Sequence, residues 1–120
     1  MRQKLLEGHP NRSELFDLKH DRGGMIDIEF IVQYLVLAYA NVHPALTAND
    51  GNIALLRLAA SLGLIPADAA EKVGSAYREF RRLQHALRLN GARFARVPHE
   101  QVEDPVAATL ALWRQVFSAP

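Results

Sequence analysis

The segment from Met25 to Val42 constrains the fold of this chain more than any other part of its sequence. Almost all of its residues are apolar, and its polar side chains are Asp27, Glu29, Gln33 and Asn41. Because a helix turns by about 100° per residue, these side chains do not form one continuous polar face. A helix without a polar face is stable in water only when other elements enclose it. The sequence therefore predicts a helix at Met25–Val42 inside a bundle of helices.

The composition favours helices in the rest of the chain as well. Alanine and leucine, with 18 and 17 residues, occupy 35 of the 120 positions, and strand-forming residues are sparse. With 49% hydrophobic and 22% charged residues, the chain resembles a folded globular protein rather than a disordered one. Its length is enough for one domain with one hydrophobic core. We therefore expect a single helical domain over residues 1–120.

Capping residues and apolar periodicity predict three further helices. The first runs from about Asp50 to Leu62, with Asn49 or Asp50 as its N-cap and Gly63 at its C-terminal end. The others run from about Pro66 to Asn90–Gly91, and from Asp104–Pro105 to about Phe117. Residues 92–102 are predicted to be a loop. The predicted fold is an all-α bundle of four to five helices over 25–118, after a loop over 9–24 with a short extended piece at 15–18 and the end of a helix over 1–8.

The charge and the residue usage exclude several classes of function. The net charge is +1, so the chain as a whole offers no electrostatic attraction to nucleic acid or to a membrane surface. Cysteine is absent, which excludes disulfides and thiolate metal sites and fits a reducing cytoplasm. The most apolar window, Phe30–Ala40, has 11 residues, whereas a bilayer span needs roughly 20. We expect a cytoplasmic protein with no nucleic-acid or membrane partner.

No known catalytic or metal-binding motif occurs in the sequence, and we expect no metal site. The histidines do not form an i, i+4 pair on a helix. Asp27 and Glu29 are two positions apart, so on a helix their side chains diverge by about 200° and make a poor chelate. Asp27 lies in the first helical turn, where the helix dipole favours an anion. Glu29, if buried, needs an arginine or a backbone donor, so both carboxylates are predicted to be structural or to face a cleft.

The segment Lys19–Gly24 is the most distinctive local feature, and it admits two interpretations. In the first, the backbone N–H groups of Gly23 and Gly24 converge on an anion at the helix N-terminus, with charge supplied by Lys19 and Arg22. In the second, the glycines only allow a tight turn into a buried helix. A β-branched residue at Gly24 should damage the fold in both cases, because such a residue resists a positive φ.

A row of basic side chains on the third predicted helix is a second candidate surface. It contains Arg78, Arg81, Arg82, His85 and Arg88, roughly opposite the apolar face. Aromatic residues do not alternate with these cations, as base stacking would require. Such a row is usually a solvated helix face. The alternative function is therefore an autonomous helical module that docks an acidic partner through Arg78, Arg81, Arg82 and Arg88.

The run from Phe16 to Leu37 resembles a signature of bacterial glutamine synthetase adenylyltransferases. Its pattern K-x-x-x-G-G-x-x-[DE]-I-E-F begins at Lys19 and opens the helical domain that follows a nucleotidyltransferase domain in that family. Segments near Asn52, Tyr77 and Trp113 also look like the family's downstream segments. The form Gly-Gly-x-x-Asp-Ile-Glu-Phe is similar to the C-terminal half, which attaches AMP to a tyrosine of glutamine synthetase, whereas the other half removes it.

The resemblance implies a function that this chain performs only as part of a larger enzyme. The family's metal-binding carboxylates follow a Gly-Ser turn in the preceding domain, and this chain has no such turn before a strand. We therefore expect no catalytic residue here, an inactive fragment, and residues 1–8 as the end of a linker helix from the catalytic domain. ATP and Mg²⁺ would be used by the full-length bifunctional enzyme in nitrogen metabolism. The implied partners are the upstream nucleotidyltransferase domain, glutamine synthetase and the PII signalling protein.

Overall fold

The computed structural model describes residues 13–47 and 51–117 of the chain. In these ranges the chain forms four α-helices, two short 3-10 helices and one pair of two-residue strands. In chain order these are β1 Phe16–Asp17, α1 Met25–Tyr39, a 3-10 helix Pro44–Thr47, α2 Asn52–Ser61, α3 Ala67–Leu89, β2 Arg96–Val97, a 3-10 helix His99–Val102 and α4 Glu103–Phe117. The predicted all-α bundle is confirmed. The helix end expected over residues 1–8 lies outside the described residues.

The longest helix, α3, is the centre of the bundle and packs against the other three helices. Its buried face contains Ala70, Val73, Gly74, Ala76, Tyr77, Phe80 and Leu83. Phe80 and Val73 are fully buried together with Ile28 and Ile31 of α1 and Leu112 of α4. One continuous core thus joins all four helices. Burial of this apolar face on folding is the main source of the bundle's stability.

The prediction that α1 is enclosed on all sides is wrong for one face. Ile28, Ile31 and Leu35 are buried, but Tyr34 and Leu37 are 41% and 82% exposed. The ring of Phe117 lies 5.0 Å from that of Tyr34, so α4 covers only part of this face. The three other helices do not surround α1 completely, which leaves an apolar strip at the surface. The described part of the chain contains no helix long and apolar enough to cross a membrane.

Helix ends differ from the predicted ones by a few residues. Helix α1 ends at Tyr39, because the carbonyl of Tyr39 accepts hydrogen bonds from the N–H groups of both Val42 and His43 in a closing turn. Helix α2 has Gly51 as its N-cap, with φ of 88°, in place of Asn49 or Asp50, which lie outside the described residues. Gly63 follows α2 with φ of 79°, as predicted for the residue that ends this helix.

The prediction that residues 92–102 form only a loop is wrong. Phe16 pairs with Val97, and Asp17 pairs with Arg96, in a short antiparallel ladder. The N–H of Leu18 extends this ladder by donating to the carbonyl of Ala95. The pairing joins residues far apart in the sequence, so no local periodicity could indicate it. Its consequence is that the turn before α1 lies beside the segment that follows α3.

Candidate functional site

The Gly23–Gly24 turn is a tight turn whose backbone donors are already used. The N–H groups of residues 23–26 all donate to acceptors of this chain, in order to Asp27 Oδ2, Asp21 O, Leu18 O and Lys19 O, over 2.7, 2.9, 2.8 and 3.0 Å. Helix N-termini attract anions through N–H groups that lack a partner. Because these four donors have intramolecular partners, the geometry favours the interpretation of the glycines as a turn into the helix.

The anion at the N-terminus of α1 is the carboxylate of Asp27. This side chain is 3% exposed and lies in the third helical position, from which it reaches back to the N–H of Gly23. Such a contact satisfies a donor at the helix terminus and places negative charge at the positive end of the helix dipole. The structure therefore places Asp27 as a capping residue of its own helix.

Glu29 lies at a different place, as the helical spacing predicts, and its partner is a tyrosine. The hydroxyl of Tyr77 donates to Glu29 Oε2 over 3.0 Å and accepts from Asn52 Nδ2 over 3.1 Å. The expectation of an arginine or backbone partner is not what the structure shows. Burial, and then the hydrogen bond and charge of Glu29, raise the pKa of Tyr77 above its ordinary value. The hydroxyl therefore stays protonated and joins α1, α2 and α3.

Removing this hydroxyl should have a modest effect. We expect Tyr77→Phe to lower the free energy of unfolding by about 1 kcal/mol, because Glu29 and Asn52 are half-buried and regain part of their hydrogen bonding from water. Glu29→Ala should cost a similar amount, because its partner is uncharged and no buried ion is left alone. Urea unfolding of both single variants and of the double variant measures their coupling. A loss of several kcal/mol in Glu29→Ala would contradict this assignment.

Asp17 organises the strand pair beside the glycine turn. Its Oδ1 accepts hydrogen bonds from the N–H groups of Lys19 and His20, and its Oδ2 accepts one from Arg96 Nε over 3.2 Å. Burial raises the pKa of this carboxyl, but the hydrogen bonds from His20, Arg96 and Lys19 and the charge of His20 outweigh it, so the pKa lies below its ordinary value. Asp17 is therefore an anion that holds β1, β2 and the following turn together.

A cleft with a cavity volume of about 410 Å³ opens next to this carboxylate. It is lined by residues of β1 and the turn after it, the last turns of α3, and the segment that leads into β2. The lining includes five basic side chains, Lys19, His20, Arg88, Arg93 and Arg96, and one carboxylate, Asp17. We call this the basic cleft. It brings together four of the 11 lysine and arginine side chains of the described residues around a concave surface.

The basic cleft includes two of the predicted site residues and omits the others. Lys19 and Arg88 line it, whereas Arg22 is exposed and lies outside its lining. Arg93, Arg96, Asp17 and His20 were not predicted from the sequence. Arg93 and Arg96 lie three positions apart and shortly after Gly91. This spacing is the one local signal in the sequence that could have indicated these two arginines.

The basic row on α3 is exposed along its length but does not act as one surface. Arg78, Arg81, Arg82 and Arg88 are all exposed. Arg82 pairs with Glu79, and the Arg81 guanidinium lies 6.0 Å from the centre of the Tyr77 ring. Arg88 faces the basic cleft instead. The described residues contain no group of three or more histidine, aspartate or glutamate side chains that could hold a metal ion.

Comparison with known proteins identifies the chain's family. Residues 1–114 match a family model described as GlnD PII-uridylyltransferase. The chain belongs to this family. Within the GlnD family, the chain is 57% identical over 119 residues to the bifunctional glutamine synthetase adenylyltransferase/adenylyl-removing enzyme of Burkholderia mallei. Proteins of the same name are 59% identical over 117 residues in Bordetella bronchiseptica and 52% identical over 131 residues in Nitrosomonas europaea.

These comparisons confirm the resemblance that the signature carries. The matches cover 98–99% of this chain but only 12–14% of the length of the relatives. The chain therefore corresponds to a fragment of the glutamine synthetase adenylyltransferase. The match extends over nearly all the described residues, including the basic cleft and the turn at Gly23–Gly24.

Proposed function

We propose that this chain is the helical domain that follows the AMP-attaching nucleotidyltransferase domain of a glutamine synthetase adenylyltransferase. The observation that carries the proposal is the identity of 57% over 119 residues to a relative of that name. The family description names a PII-uridylyltransferase, but the three relatives compared above all carry the adenylyltransferase name. The form Gly-Gly-x-x-Asp-Ile-Glu-Phe, from Gly23 to Phe30, supports the AMP-attaching half.

The reaction of the whole enzyme would be transfer of AMP from ATP to a tyrosine of glutamine synthetase, with Mg²⁺ bound by carboxylates of the preceding domain. This transfer needs charge stabilisation by metal ions, and the described residues hold no cluster of metal ligands. Asp27 and Glu29 are both engaged within the bundle. The chain would act in the cytoplasm by completing the cleft of the catalytic domain or by relaying a regulatory signal from PII.

The exposed apolar strip on α1 supports a position next to another domain. Leu37 is 82% exposed, and Tyr34 beside it is 41% exposed. An apolar strip of this kind is typical of a surface that packs against a partner. We propose that the upstream nucleotidyltransferase domain covers this strip, which would position the glycine turn and the start of α1 relative to the catalytic cleft.

The proposal predicts that AMP transfer depends on this domain but does not occur within it. We expect the purified 120-residue chain to transfer no AMP to glutamine synthetase, and the full-length protein to do so with ATP and Mg²⁺. In the full-length protein, Leu37→Lys should lower AMP attachment at least about tenfold, which corresponds to about 1.4 kcal/mol. Transfer of radiolabelled AMP to glutamine synthetase measures AMP attachment, and phosphorolytic release of AMP measures AMP removal.

Three outcomes would contradict the proposal. Transfer of AMP by the isolated chain would show that the catalytic residues lie within it. Loss of AMP removal with unchanged attachment in Leu37→Lys would assign the chain to the other half. Transfer of UMP from UTP to PII in place of AMP to glutamine synthetase would assign it to a uridylyltransferase. Ala54→Lys, at an exposed position of α2, is the control for a new charge on a helix surface.

A further inference from the structure

The basic cleft concentrates positive charge that the chain as a whole lacks. Four lysine and arginine side chains, Lys19, Arg88, Arg93 and Arg96, line the cleft together with one carboxylate, Asp17, which leaves a local excess of three positive charges. The net charge of the whole chain is only +1. The excess in the cleft is therefore a property of the fold, which brings together residues from three separate segments.

The carboxylate of Asp17, the one carboxylate that lines the cleft, would repel a bound anion only weakly. Asp17 is 5% exposed, and both of its oxygens accept hydrogen bonds from this chain. Its carboxylate forms an ion pair with Arg96. The guanidinium of Arg96 also lies 4.1 Å from the centre of the Phe94 ring. Arg96 is thus fixed on two sides at the wall of the cleft. Lys19, Arg88 and Arg93 are exposed and able to turn toward a bound molecule.

The C-terminal end of α3 also borders the cleft, and its carbonyl groups would repel an anion if they were open. The N–H of Asn90 donates to Ala86 O, that of Gly91 to Arg88 O, and that of Ala92 to Leu87 O. These bonds satisfy carbonyls that a helix end otherwise leaves without a partner. The negative end of the helix dipole is reduced further by the guanidinium of Arg88 itself.

We propose that the basic cleft binds a polyphosphate anion, that is, two or more linked phosphate groups. Guanidinium groups recognise phosphate through paired N–H donors, and three arginines surround this cavity. The volume of about 410 Å³ lies in the range of small-ligand sites, roughly 300–1,000 Å³. An acidic polypeptide is disfavoured, because each of its carboxylates carries a single charge, whereas linked phosphate groups bring several negative charges into one small cavity. This proposal is independent of the AMP-transfer proposal, since binding is measured without catalysis.

Calorimetric titration of the 120-residue chain with pyrophosphate at low ionic strength tests the site. We expect Arg88→Gln/Arg93→Gln to weaken binding at least about tenfold, because two cations that contact the anion are lost. The charge-matched control Arg57→Gln/Arg78→Gln removes two exposed arginines that do not line the cleft and should leave affinity within about twofold. Thermal melting verifies that each variant is folded. Lys19→Ala should weaken binding without changing the melting temperature.

Titrations with pyrophosphate, ATP and adenosine identify the source of the phosphates. Equal affinity for pyrophosphate and ATP, with no binding of adenosine, would show that the phosphate chain alone is recognised. Tighter binding of ATP, lost in the same variants, would show that a nucleotide supplies the phosphates. The proposal is overturned if pyrophosphate does not bind, if the control variant weakens binding equally, or if a poly-glutamate peptide binds more tightly than pyrophosphate.

Discussion

Gly24→Ala is expected to lower the free energy of unfolding by about 3 kcal/mol or more. A Cβ atom at this position would lie 2.6 Å from the carbonyl oxygen of Leu18 and 2.9 Å from that of Asp21. Both neighbours are backbone atoms held by hydrogen bonds, Leu18 O by Met25 N–H and Asp21 O by Gly24 N–H. Relief of the clash therefore requires the turn and the first residues of α1 to move. Chemical denaturation followed by circular dichroism measures the loss.

Gly74→Ala is the matched control, with an expected effect of opposite sign. Gly74 lies within α3, and a Cβ atom there would make an ordinary contact of 3.5 Å with Ile53 Cγ2. Alanine is favoured over glycine in a helix by about 1 kcal/mol, so this variant should be neutral or more stable. Equal stability of Gly24→Ala and the parent chain would show that the turn can relax, and would contradict the assignment of Gly24 as a close-approach residue.

Asp17→Asn is expected to cost about 3 kcal/mol, because it leaves the mostly buried guanidinium of Arg96 without its counter-charge. The side chains of Asp17 and Arg96 are only 6% and 17% exposed. Glu71→Gln breaks the Arg57–Glu71 pair, in which both side chains are more than half exposed, and should cost less than about 1 kcal/mol. A similar small cost for Asp17→Asn would show that the strand pair does not depend on this charge.

The variant Asp17→Asn should also change how the free energy of unfolding depends on pH. The pKa of Asp17 in the folded chain lies below its ordinary value of 3.8, so the folded state favours the anion. Its contribution to stability is complete above the ordinary pKa and is lost as the pH falls through the folded pKa. Asp17→Asn removes this contribution, so its stability should fall less steeply in that acidic range. Melting temperatures measured across this range for both proteins test the sign.

The sequence was sufficient for the elements that depend on local chemistry. Helix α3 was predicted from its apolar periodicity, because a helix that lies on a core must repeat its apolar residues every three or four positions. Gly63 and Gly91 ended helices where predicted, since both adopt a positive φ that other residues resist. The short extended piece near Phe16 was predicted, but its partner strand was not. The signature from Lys19 to Phe30 was sufficient to indicate the family.

Only the tertiary structure decided what the residues around the turn do. The sequence predicted a positive φ at Gly24, but the residue with a positive φ is Gly23, at 89°. Gly24 has a φ of −92°, and glycine is required there because two carbonyl oxygens lie too close for a Cβ atom. The basic cleft depends on the pairing of Asp17 with Arg96, which are distant in the sequence. Local patterns determine which segments are helical, because helical hydrogen bonds join near neighbours. Contacts between distant segments follow from how the complete core packs, and these contacts placed Lys19 beside Arg88 and Arg93.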